Sequence, residues 1–282
     1  MRVLLVPNAA NPRSVEATRG AAAWLAARGI EVRLDSEDAG TCGLAELGVP
    51  RVDARSVDLA VALGGDGTML KAVHIIGTPD VPLLGVNLGR LGFLSGAESE
   101  HLEQALEAAL AGEAKVERRG ILEATIVIGG RASGTFHALN EVHVGRSGGA
   151  RAVELEVAIN GVRLWRFVCD GVVVASPTGS TAYALSAGGP IVSPEVRGAV
   201  VVPVAAHALG IRPIVAGPSD VIEVTCPNPG RADACVTVDG DEVPCRRDLE
   251  RVTVTSGARE ASLLKIEGAG FYQVLADKLL ER

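Results

Sequence analysis

The sequence predicts an α/β N-terminal domain with a Rossmann-like parallel sheet and a β-rich, β-sandwich-like C-terminal domain. A C-terminal helix is expected to return to the N-terminal domain. Three observations carry this reading. Continuous apolar runs alternate with helical patterns up to about residue 98. Short β-rich runs then follow one another, separated by turn residues, to Ile266. Last comes an amphipathic stretch, FYQVLADKLLER.

In order, Arg2–Asn8 (RVLLVPN) reads as a buried strand. SVEATRGAAAWLAARG follows as a helix, with Ser14 as N-cap and Gly29 as stop. Glu31–Leu34 is a second strand, DLAVALGG a third, and Val81–Asn87 (VPLLGVN) a fourth, with a helix from about Gly67 to Ile76 between the last two. Strands that are apolar throughout are buried on both faces, as in a parallel sheet covered by helices. Ligands of such sheets sit beyond the carboxyl ends of strands, where Gly64–Thr68 and Asn87–Gly92 fall. Ser99–Ala114 is an amphipathic helix that bridges to the second part. From Val116 on come runs such as ILEATIVI, VELEVAI, DGVVVAS, VIEVTC and RVTVTS, with one helix candidate at about Ser180–Ala187. The expected division is residues 1–98, 99–264 and a terminal segment 265–282 that packs back on the first part.

Composition excludes several classes. A net charge of -7 leaves no electrostatic footprint for nucleic acid. The longest apolar run, Ala199–Ile211, contains Pro203 and His207, so no membrane span is expected. Cys42, Cys169, Cys226, Cys235 and Cys245 form no C-x-x-C pair and match no zinc spacing. They read as reduced, mostly buried thiols of a cytoplasmic protein without a signal peptide. His74, His101, His137, His143 and His207 stand at no metal-ligand spacing, so no protein metal ligand is assigned.

The chemistry concentrates in GGDGT, Gly64 to Thr68. Glycines let a backbone approach a phosphate closely. Yet Asp66 stands in the middle, where an anion repels one. No G-x-x-x-x-G-K-[ST] loop and no G-x-G-x-x-G fingerprint occurs. A carboxylate beside a phosphate cradle can take the proton of an attacking hydroxyl or help hold Mg²⁺; both belong to phosphoryl transfer. Asn140 and Glu141 close a β-rich run, either as a solvated strand-end turn or as a clasp for adenine and ribose hydroxyls. Thr178, Ser180 and Thr181, with Tyr183, stand at a helix start, either as a cap or as a hydrogen-bonding and stacking surface for a base.

GGDGT resembles the signature of a kinase superfamily that holds NAD kinases and the diacylglycerol and sphingosine kinases. The remaining motifs resemble the NAD kinases: GVNLGRLGFL (Gly85–Leu94), LNEVHVGR (Leu139–Arg146), DGVVVASPTGSTAYALSAGGPIVSP (Asp170–Pro194), PVAAHALGIRP (Pro203–Pro213) and VDGDE (Val238–Glu242). The resemblance spans nearly the whole chain. It implies phosphoryl transfer from ATP, or inorganic polyphosphate in some relatives, to the adenosine 2′-hydroxyl of NAD, with Mg²⁺ or another divalent cation. Asp66 is then the catalytic base, and Gly64, Gly65, Gly67 and Thr68 form the phosphate loop. Asp66, Gly67, Asn140, Glu141, Asp170 and the run Thr181, Ala182, Tyr183, Ala184, Leu185, Ser186 line the dinucleotide pocket. Lys71 and Arg151 match basic positions of the family. The resemblance also implies a homodimer or homotetramer in which the Asp170 position is supplied across the interface. Where many relatives read Asp-Gly-Gln, this chain reads Asp239-Gly240-Asp241, so an amide donor becomes an acceptor-only carboxylate.

Two rivals share parts of this pattern. A lipid kinase also carries GGDGT, but the hydroxyl-rich Thr178–Tyr183 block and the Asn140–Glu141 pair argue against it, as does the lack of an aromatic-basic amphipathic helix. A non-enzymatic NAD(H) sensor has no use for the Asp66 carboxylate.

Overall fold

A computed structural model describes residues 1–50, 52–53, 56–77, 80–89, 92–148, 151–228, 234–244, 248–266 and 270–280. Cys245, positions 90–91 of the second glycine motif and the last two residues of the terminal helix lie outside the described residues.

The chain divides into two compact units, Met1–Arg118 with Glu260–Arg282, and Arg119–Arg259. In chain order the first comprises β1 (Arg2–Pro7), α1 (Pro12–Ala26), β2 (Glu31–Asp35), α2 (Ser36–Cys42), β3 (Gly48–Val49), β4 (Leu59–Leu63), α3 (Asp66–Ile76), β5 (Leu83–Asn87), β6 (Ala97–Glu98) and α4 (Leu102–Ala111). The second comprises most of β7 (Lys115–Ile128), then β8 (Arg131–Ala138), β9 (Glu141–Arg146), β10 (Val153–Ile159), β11 (Val162–Cys169), β12 (Gly171–Ala175), α5 (Tyr183–Ser186), β13 (Ala199–Val204), β14 (Ile214–Ala216), β15 (Val221–Thr225), β16 (Ala234–Val238), β17 (Asp241–Val243) and the start of β18 (Leu249–Lys265). The end of β18 and α6 (Phe271–Leu280) return to the first unit.

In the first unit the strands run parallel in the order β3-β2-β1-β4-β5. Leu263 and Leu264 of β18 add alongside Leu83 and Leu84 of β5, also parallel. The apolar runs are explained directly: every residue of β4 and of β5 is buried. Leu5, Leu25, Leu63, Leu84 and Leu106 meet in its core. Each such side chain contributes about 1.5–3 kcal/mol by leaving water. The boundary expected at residue 98 falls instead at 118, because Ala105 and Leu106 of α4 are buried in this first core.

Ser14 is not the N-cap of α1. Asn11 is, accepting from the Arg13 N–H at 3.0 Å. Ser14 lies fully buried one turn in, where its hydroxyl donates to Leu63 O at 2.5 Å and accepts from Asn8 N at 2.9 Å. It ties the carboxyl ends of β1 and β4 together. Helix α2 has no apolar periodicity and is unforeseen. It forms on its ends: Asp35 accepts from Glu37 N, and Gly43 closes it at φ 68°.

The second unit stacks two sheets. One runs β11-β10-β15-β18 with β7 and β8 beyond; the other runs β14-β13-β12-β9-β16-β17. Leu122, Leu155, Val157 and Val252 from the first sheet meet Val144, Val172, Val174 and Val236 from the second in one core. On the far face of the second sheet, Val173, Val200 and Val202 pack against Ala184. This two-sided burial explains why β12 is apolar at every position. The helix expected at Ser180–Ala187 is a 3₁₀ turn, Thr178–Thr181, followed by the single turn of α5. Among the described residues no helix is long and apolar enough to cross a membrane.

Candidate active site

The expected site residues fall into two groups, one in each unit. In the first, β4 ends at Leu63 and Gly65 is the N-cap of α3, so Asp66 is the first helical residue. A Cβ on Gly64 would stand 2.2 Å from Thr68 Oγ1, and one on Gly92 would stand 2.1 Å from Asp66 Oδ1. Only glycine fits at either place. A Cβ on Gly65 or Gly67 would meet nothing within 4 Å, so the outer side of the loop has room for a ligand. The Asp66 carboxylate accepts from the main-chain N–H groups of Phe93 and Leu94, one on each oxygen, at 3.1 Å. It is thus fixed in direction and keeps free lone pairs on both oxygens. The same loop is tied back by Asn87, whose Oδ1 accepts from Gly89 N at 3.2 Å.

Lys71 does not reach back toward this loop. Its amine binds both oxygens of Asp38 at 2.7 Å, and the Asp38 side chain is only 6% exposed. The structure gives Lys71 a carboxylate partner on α2.

In the second unit, Asn140 and Glu141 stand where β9 begins. The Asp239 carboxylate accepts from three consecutive main-chain N–H groups, those of Leu139 (2.8 Å), Asn140 (2.7 Å) and Glu141 (3.0 Å). From the opposite side, Ser176 N donates to Asn140 O at 2.8 Å and Ser176 Oγ donates to Leu139 O at 2.5 Å. Gly179 lies against the Asn140 main chain; a Cβ there would come 2.1 Å from Asn140 O. The Glu141 Oε2 is buried and without a hydrogen bond. Burial first, and then the Asp239 carboxylate, push the Glu141 carboxyl up to about 7, although the Tyr183 N–H pulls it down. His143 lies two residues on, with its Nε2 buried and burial lowering its pKa. The Tyr183 ring meets it edge-on at 5.4 Å and is itself exposed.

The hydroxyls of the 178–181 turn hold the turn itself. Ser180 Oγ donates to Pro177 O at 2.7 Å and accepts from Val192 N at 2.9 Å; Thr181 Oγ1 donates to Thr178 O at 3.2 Å. Both hydroxyl protons therefore go to main-chain carbonyls within the turn. Ala184 is buried in the small core under β12, while Leu185 and Ser186 are exposed and Thr181 and Ala182 half-buried. Asp170, between β11 and β12, pairs with Arg146 Nε at 3.0 Å; both are about 40% exposed. Arg151 is exposed ahead of β10. Among the described residues no group of three or more His, Cys, Asp or Glu is placed to hold a metal ion.

Sequence reasoning missed Asp38, the Gly92–Leu94 main chain that orients Asp66, and the grip of Asp239 on residues 139–141. The only sequence signal for the last is Asp239-Gly240, a dipeptide favoured in two-residue hairpin turns.

Residues 3–114 match the ATP-NAD kinase N-terminal domain, and residues 139–266 match the ATP-NAD kinase C-terminal domain. The chain is similar to the NAD kinase of Desulforamulus reducens, 37% identical over 98% of this chain and 96% of that protein. It is 38% identical to the NAD kinase of Symbiobacterium thermophilum, over 98% of this chain and 97% of that one. Among solved structures it is similar to yeast NADH kinase complexed with NADH, with TM-score 0.88 and 26% identity, over 99% of this chain and 87% of that one. It is also similar to an NAD kinase from Archaeoglobus fulgidus in complex with ATP, with TM-score 0.76 and 26% identity, over 99% of this chain and 98% of that one.

Proposed function

Since the chain belongs to the NAD kinase family, enzymes that phosphorylate NAD to NADP, we propose how its own residues carry out that transfer. Asp66 orients the adenosine 2′-hydroxyl of NAD and takes its proton as the phosphoryl group arrives from ATP. The observation that carries this is the hold on Asp66: two main-chain N–H groups, at 3.1 Å each, fix the carboxylate that follows the glycine turn. A hydroxyl is too weak an acid to be ionised beforehand, so proton transfer comes late, as a loose transition state allows.

Main-chain N–H groups at the start of α3 face the donor's phosphates. A divalent cation, held mainly through those phosphates with few protein ligands, neutralises charge when bound. Asn140 and Glu141 hold the hydroxyl- and amide-bearing parts of the dinucleotide, and Tyr183 offers an exposed ring for a base to stack on. ATP is favoured as donor by the matched ATP-NAD kinase domains and by the ATP complex of the similar Archaeoglobus enzyme. Polyphosphate carries the same terminal phosphoryl chemistry. The working form is a cytoplasmic homo-oligomer.

The test is the position of the product phosphate. One fixed carboxylate serves one oxygen in line with the donor. Incubation of NAD with ATP and Mg²⁺ should give only the adenosine 2′-phosphate by phosphorus NMR. A 3′-phosphate or a nicotinamide-ribose phosphate as main product would overturn the mechanism.

A further inference from the structure

We propose that Asp239 is a positioning residue of the dinucleotide site. It gathers the main-chain N–H groups of Leu139, Asn140 and Glu141 and so fixes the direction of the Asn140 and Glu141 side chains. The inference rests on the reading above that these two side chains touch NAD.

Asp239 and Gly240 form the two-residue turn between β16 and β17, closed by the Val238–Asp241 pair. Both have positive φ, 49° and 91°. That is the backbone of a primed hairpin turn, and Asp is among the few residues with a side chain that tolerate it. β16 pairs antiparallel with β9, with Val238 opposite Val142. The turn therefore lands beside Glu141, and Asp239 N donates to Glu141 O at 2.9 Å.

The 139–141 segment is held on both sides. Its N–H groups go to Asp239, and the Leu139 and Asn140 carbonyls go to Ser176. Gly179 leaves no space for Asn140 to retreat into. A carboxylate that accepts three N–H bonds is a strong clamp, because charge-assisted hydrogen bonds are roughly twice as strong as neutral ones.

The clamp also puts a second negative charge next to Glu141. The groups that act on Glu141 are Asp239 and the Tyr183 N–H; His143, two residues along the same strand, meets the Tyr183 ring edge-on at 5.4 Å. Burial lowers the pKa of His143. Glu141 thus changes charge near neutral pH, and the ionised form is the better acceptor for a ribose hydroxyl. NAD affinity should rise as pH increases through about 7. Removing the Asp239 charge should let Glu141 ionise at lower pH.

The experiment measures kcat and KM for NAD against pH in wild type, Asp239→Asn, Glu141→Gln and the double variant. Asp239→Asn should raise KM at least about ten-fold with a smaller change in kcat, since it displaces binding groups and not Asp66. Its kcat/KM midpoint should move to lower pH. Glu141→Gln should flatten that pH limb, and the two substitutions should not add. Asp239→Asn with wild-type KM and midpoint, while Glu141→Gln changes both, overturns the positioning role. Glu141→Gln with wild-type KM and pH profile instead overturns the site reading beneath it. Should Asp239→Asn fail to fold, amide hydrogen exchange in the wild type decides. Slow exchange at Leu139, Asn140 and Glu141 supports the clamp, and rapid exchange at all three overturns it.

Discussion

Replacing Asp66 by Asn keeps the size of the side chain but turns one acceptor oxygen into an N–H₂ donor. Phe93 N and Leu94 N both need acceptors there, so one of them loses its partner. The variant should therefore lose about 1–3 kcal/mol of stability locally. More importantly, it has no base: turnover should fall about 10²–10⁴-fold while NAD still binds. Steady-state kinetics with a direct NAD titration checks this, and near wild-type NADP formation would remove Asp66 from the mechanism. Lys71 sits on the same helix and answers to a different constraint. Lys71→Met leaves the buried Asp38 carboxylate without its cation. Thermal unfolding should show a loss of about 1–3 kcal/mol, partly recovered when Asp38→Asn is added, because a neutral amide costs less to bury than an unpaired charge. If the second substitution recovers nothing, the pair is not what holds α3 to α2.

At the scale of elements, the end of the chain supports the loop that holds Asp66. Phe271 of α6 packs on Phe93 at 5.8 Å between ring centroids, and Lys278 lies over the same ring at 5.4 Å. Ile266 N donates to Gly96 O at 3.2 Å, and the Lys265 amine reaches Ser95 O. Phe271→Ala should therefore lower kcat about ten-fold by loosening Phe93, since small misplacements of catalytic groups are expensive. Phe271→Leu should restore most of it. An unchanged kcat in Phe271→Ala would mean that the loop holds its own shape. The buried strands were legible because burial on both faces leaves a continuous apolar run, as in the parallel β4 and β5 and in the antiparallel β12. The glycine turn was legible because close backbone approach admits no other residue at Gly64. Helix α2 was hidden because its stability lies in its ends, Asp35 and Gly43, and not in an apolar stripe. Ser14 misled because a hydroxyl near a helix start has the same sequence signature whether it caps its own helix or ties two strand ends. For the Asp239 clamp the Asp239-Gly240 dipeptide marked only a turn, because the clamp itself exists only once the β16–β9 register brings together residues about a hundred positions apart.

The whole molecule separates its chemistry between two units: Asp66 belongs to the first, and Asn140, Glu141, Asp170 and Tyr183 belong to the second. We propose, as the family resemblance implies, that the Asp170 position is supplied by a neighbouring subunit. Asp170 and its partner Arg146 are each about 40% exposed. β11 is the edge strand of its sheet and turns Val162, Leu164 and Val168 outward, 62%, 42% and 41% exposed. An edge strand with apolar side chains is stabilised by pairing with a second copy. A site at a two-fold interface then occurs once per subunit, each built from one chain's Asp66 and its neighbour's Asp170. Asp66→Asn and Asp170→Asn, each nearly inactive alone, should complement when unfolded together and refolded as a mixture. Some interfaces then unite an intact Asp66 with an intact Asp170. Random pairing of equal amounts restores about a quarter of the sites. The control is each variant refolded alone, and the measurement is NADP formation per site relative to refolded wild type. Activity equal to the mean of the two single variants would place both residues of each site in one chain.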